Sequence, residues 1–88
     1  MAACNPYGRR VADYLVERYW PGVSPADVRR LDERLSAAGG DVTYMGSVLI
    51  PDDEVALFGF RATDESDVRA AAAAVGLRCD RIVVADFG

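Results

Sequence analysis

At 88 residues, with 51% hydrophobic and 27% charged side chains, the chain has the make-up of one small globular domain and excludes a disordered tail or a fibrous repeat. Its net charge of −4, from 14 acidic and 10 basic residues, argues against nucleic acid as a partner, since such surfaces need Lys and Arg to displace phosphate counterions. No apolar run approaches the ~20 residues that span a bilayer, so no membrane partner is expected.

All ten basic residues are Arg, and none stands in a run longer than Arg9-Arg10 or Arg29-Arg30. The segment from Met1 to Pro6 lacks the basic and apolar stretches of a secretion signal. The expectation is a cytoplasmic protein with Cys4 and Cys79 as free thiols, a Cys4–Cys79 disulfide being the competing reading.

Residues 1–9, broken by Asn5-Pro6 and Gly8, read as a flexible lead-in to a single domain over 10–88. Arg10 to Trp20 is rich in Val, Tyr and Leu and predicts a strand that Pro21-Gly22 stops. A helix follows: Ser24 caps it, Pro25 takes the first position, where a missing N–H costs nothing, and Asp27 stands three residues after the cap. Val28, Leu31 and Leu35 recur at helical spacing, and Gly39-Gly40 supplies the stop.

A second strand spans about Asp41 to Ile50 and a third about Glu54 to Ala62. The turn Pro51-Asp52-Asp53 joins them as an antiparallel hairpin. Thr63 is expected to cap a second helix, with Asp64 and Glu65 near its positive end, Val68, Ala71, Ala72 and Val75 inside, and Gly76 at its close. Arg81 to Phe87 predicts the fourth strand. The order β-α-β-β-α-β is the ferredoxin-like α+β fold, a four-stranded antiparallel sheet with two helices on one face. The other face is left bare, and for so small a domain a second copy of itself is the expected cover, in the manner of a dimeric α/β barrel.

Three stretches resemble a family of small bacterial proteins described as nickel-binding, ferredoxin-like homodimers. They are Tyr14-Leu15-Val16-Glu17-Arg18-Tyr19-Trp20-Pro21-Gly22, Gly46-Ser47-Val48-Leu49-Ile50-Pro51-Asp52-Asp53-Glu54, and Val75-Gly76-Leu77 followed by Asp80-Arg81-Ile82-Val83. The likeness covers roughly residues 12 to 86 and implies a homodimer. It departs where the metal would sit: Ala71 stands where the family pattern often has histidine, and Phe58 near where it often has cysteine. The chain has no histidine, so a borderline divalent metal is poorly served, and neither metal nor other cofactor is expected.

Glu17 is the ionisable residue of most interest, placed mid-strand among Leu15, Val16 and Tyr19, where burial would suit it as a general base. The competing reading pairs it with an arginine such as Arg61 across the sheet. Tyr19, Tyr44, Phe58 and Phe60 could line a cleft between sheet and partner, with Ser47 and Arg61 as its polar groups; an ordinary aromatic core or dimer interface is the plainer account. Alternation puts Glu17 with Tyr19 and Phe58 with Phe60, but does not say which strand face meets the helices. Phe58-Gly59-Phe60 also resembles the aromatic strand of RNA-recognition modules, which the negative charge argues against. Ser47 and Tyr44 lack the histidine base that a hydroxyl nucleophile ordinarily needs.

The expected function is therefore a small dimeric ligand-binding protein, with a cleft between sheet and partner and without the family's histidine ligands. The alternatives are a cofactor-free enzyme of cyclase, isomerase or oxygenase type acting on a small pathway intermediate, and a structural or regulatory interaction module.

Overall fold

A computed structural model of the chain describes residues 3–4, 10–38 and 40–86. Strands β2 (Arg10–Tyr19), β3 (Val42–Ile50), β4 (Val55–Ala62) and β5 (Arg81–Ala85) form one antiparallel sheet in the order β5-β2-β4-β3. Helix α1 (Pro25–Ala38) joins β2 to β3 and α2 (Glu65–Ala74) joins β4 to β5. This is the expected ferredoxin-like βαββαβ arrangement, and its sheet is open. A further two-residue strand, β1 (Ala3–Cys4), pairs with the start of β2, Ala3 opposite Val11 and Cys4 opposite Arg10. It falls within the expected lead-in. The rest of that lead-in, Gly39 of the helix stop, the side chain of Cys4 and the predicted strand end at Phe87 lie outside the described residues.

Local chemistry sets the helix starts. At α1 the Ser24 hydroxyl accepts the Asp27 N–H at 3.2 Å while the Asp27 carboxylate accepts the Ser24 N–H at 3.0 Å, a reciprocal capping box. At α2 the cap is Asp64, whose carboxylate accepts the Ser66 N–H at 3.0 Å, not Thr63. Asp64 stands at the extended position just before the helix, which is where a cap must stand. The end of α2 is a Schellman turn: Leu77 N–H reaches the Ala72 carbonyl at 2.9 Å and Gly76 N–H the Ala73 carbonyl at 3.2 Å, with Gly76 at φ 74°. Glu54 belongs to the turn rather than to the third strand. Residues Pro51–Asp53 form one 3₁₀ turn that Glu54 closes at φ 55°, its N–H on the Pro51 carbonyl.

Even-numbered residues of β2 and β4 point to the helices and supply the centre of the core. Val16, Phe58 and Phe60 are fully buried there beneath Val28, Leu31 and Leu35 of α1 and Val68 and Ala72 of α2. The opposite face, carried by the odd-numbered residues of both strands, has no layer over it.

Candidate functional site

The sheet divides the residues expected to share a site. Phe58 and Phe60 lie beneath the helices, and Tyr44 packs its ring against Phe60 with centroids 5.3 Å apart. Glu17, Tyr19 and Arg61 stand on the open face. A cleft holding Glu17 together with Phe58 and Phe60 is thus not assembled within one chain, because residues of adjacent strands share a face only when their paired positions agree.

Tyr44 and Ser47 are three apart in one strand, so strict alternation would send them to opposite faces. The pairing of β3 with β4 jumps from Tyr44 opposite Phe60 to Gly46 opposite Gly59, which leaves Met45 as an extra residue. Gly46 takes φ 117° at this bulge, a value that penalises any side chain. Ser47 thereby rejoins Tyr44 on the helix side, where both hydroxyls donate to one carboxylate, Asp32 of α1, Ser47 at 3.0 Å. Burial first, then the bond to Asp32, pushes the Tyr44 hydroxyl far above its ordinary value, so it stays protonated. The trio pins α1 to β3, with each carboxylate oxygen of Asp32 taking one hydroxyl. Asp32 was not distinguishable in the sequence from the other charges on its helix, whereas a glycine in mid-strand is a recognised sign of a bulge.

The open face has a different character. Leu15 stands at its centre, flanked by Val83 on β5 and Gly59 on β4, with Leu57 and Val48 one row along. Three of the four large apolar side chains most exposed among the described residues, Tyr19, Met45 and Val48, belong to this side. Gly46 and Gly59 lie opposite each other across β3 and β4. Without side chains there, the sheet has a hollow of about 160 Å³ lined by Leu15, Met45, Val48 and Leu57 around the two glycines and Ser47.

Two ion pairs flank the apolar centre. Arg61 grips Asp13 with both ends of its guanidinium, at 2.8 and 3.3 Å, and Asp13 is only 6% exposed. That bond holds the Asp13 carboxyl below its ordinary value. On the other side Arg81 approaches Glu17 by a single contact at 3.4 Å, and both side chains remain partly in solvent. The pairing of Glu17 with Arg61 is therefore replaced by two separate pairs, because the register sets Asp13 opposite Arg61 and Glu17 opposite Arg81.

A larger hollow of about 260 Å³ lies between α2 and the connection from α1 to β3, lined by alanines of α2 with Asp41 and Asp67 at its border. The thiol of Cys79 is half-buried, which raises it above its ordinary value and makes it a poor thiolate. Among the described residues no three His, Cys, Asp or Glu side chains gather as metal ligands, and no helix is long and apolar enough to cross a membrane. Comparison of the chain with models of known families, with characterised proteins and with solved structures returned no match.

Proposed function

We propose that this chain is a small ligand-binding protein that works in the cytoplasm as a homodimer, two copies packing open face to open face and holding a small, largely apolar molecule between them. The observation that carries this reading is the glycine-floored hollow at the centre of an uncovered apolar sheet face. A single hollow of about 160 Å³ is small for a ligand, but two meeting across a two-fold axis enter the ~300–1,000 Å³ range of small-molecule sites.

A second copy is the occupant argued for because the face is of mixed sign. Each acid on it has an arginine beside it, so a two-fold contact can set acids against bases with no like-charged field to overcome. Four strands ~4.8 Å apart, with pairings that run for five to eight residues, give a face of roughly 400–500 Å² in projection, the scale at which an apolar surface marks an interface. The three short stretches that resemble a family of ferredoxin-like homodimers point to the same assembly. In it Glu17, opposite Leu57 of the hollow, is a flanking polar group that helps set the ligand's orientation.

Native mass spectrometry of gently purified protein tests the reading. A dimer carrying a defined small adduct is expected. Leu57→Arg should give a folded monomer without the adduct, and Gly59→Val a dimer without it, since the added side chain fills the hollow. A wild-type chain that stays monomeric at tens of micromolar would overturn the proposal.

A further inference from the structure

A second place on the molecule stacks an arginine on an indole, at the end of β2 beside the connection from α2 to β5. Arg18 lays its guanidinium flat over the ring of Trp20, 3.6 Å from its centroid. Arg78 stands near enough to repel that charge, while Asp80 and Asp27 stand near enough to attract it. Both carboxylates are already engaged. Asp80 accepts the Tyr19 N–H at 2.7 Å and the Arg78 Nε–H at 3.1 Å. Asp27 accepts the Ser24 N–H at 3.0 Å and pairs with Arg30. Among the described residues Arg18 therefore has the indole beneath it, no ion pair and no hydrogen-bond acceptor for its five N–H groups.

We propose that Arg18, backed by Trp20 and reinforced by Arg78, binds a small oxyanion, either a carboxylate or a phosphate group. The guanidinium fork matches two oxygens of such a group at once, and the stack on the indole holds the fork in place before a ligand arrives. The nearby carboxylates are taken by other arginines, Asp80 by Arg78 and Asp27 by Arg30, which leaves the Arg18 fork open to an outside oxyanion. Arg61, Arg69 and Arg78 each sit against a carboxylate, whereas Arg18 lies on a ring with its fork unengaged. Arg18 is on the helix-facing side of β2, so this site is independent of the hollow and of any dimer formed over it.

Trp20 is the sole tryptophan and lies against the binding group, so its fluorescence reports occupancy. The full chain would be titrated with inorganic phosphate and separately with acetate, each against sodium chloride at equal ionic strength. A saturable change with phosphate alone assigns a phosphate ligand, with acetate alone a carboxylate, and with both an oxyanion site that does not discriminate. A change no larger than that with chloride overturns the proposal. Arg18→Lys keeps the charge and removes the fork, and should weaken calorimetrically measured binding about tenfold or more. Arg78→Ala should weaken it less. Undiminished affinity in Arg18→Lys with an unaltered circular dichroism spectrum would also overturn it.

Discussion

The two faces of the sheet are made of the same strands and obey opposite rules. Under the helices the core is closed: Asp32 takes both hydroxyls offered to it, and the Phe58 and Phe60 rings are sealed from water. On the open face apolar side chains stand in solvent, a hollow remains at Gly46 and Gly59, and one of the two ion pairs is loose. Packing one face to completion secures the fold, and the other is left free to meet something else. Alternation makes this division possible, because neighbours along a strand contribute to different surfaces.

Adjacent substitutions on β4 test the contrast most sharply. Phe58→Ala should cost about 3–5 kcal/mol, a loss comparable to the whole stability of a domain with about 4–13 kcal/mol to spare. Leu57→Ala, its neighbour on the open face, should cost about 1 kcal/mol of the chain's own stability. Urea unfolding of both variants at low protein concentration measures the difference, and equal losses would break the comparison.

A smaller effect separates two tyrosines. Tyr44→Phe removes a donor from the Asp32 carboxylate and should cost about 1–2 kcal/mol. Tyr19→Phe, on the open face, should stay within about 0.5 kcal/mol. Thermal melts of the pair provide the check, and a large loss in Tyr19→Phe would reveal order on the open face that the single chain does not require.

The smallest effect is in the acid limb. Asp13, Asp27 and Asp80 are all held below the ordinary carboxylate value, chiefly by the Arg61 side chain, the Ser24 N–H and the Tyr19 N–H respectively. Because the folded values are the lower ones, the stability they add is complete above the unfolded-state value near 4 and fades as pH falls through the folded values. Melting temperature should therefore decline below about pH 4. Asp13→Asn should flatten the part of that decline owed to the open face, and Asp27→Asn the part owed to α1. If neither variant changes the slope, the two pairings add nothing measurable.

Features written in neighbouring residues were legible in the sequence. Ser24, Pro25 and Asp27 mark the start of α1 because capping is a matter between residues three apart. Gly76 marks the end of α2 for a similar reason. The order of strands followed from spacing alone. Partners set by register were not legible. Nothing near Glu17 or Arg61 in the chain indicates that each pairs with a different residue, Arg81 and Asp13, contributed by another strand. The separation of Glu17 from Phe58 and Phe60 was hidden for the same reason. One extra residue at Met45 also reverses the phase of half a strand. Asp64 rather than Thr63 caps α2 because both residue types can cap, and only backbone geometry at the junction chooses between them.

The bulge at Met45 has one more consequence. β3 is the outer strand of the sheet, paired on one side only, and such a strand ordinarily exposes a regular row of N–H and C=O groups to which another chain can add. The extra residue interrupts that row midway and twists the strand, so an incoming chain in regular spacing could match one half of the border and not the other. Ladder growth from this border, the route by which small sheets turn into insoluble fibres, is disfavoured by a single inserted methionine and the glycine that follows it.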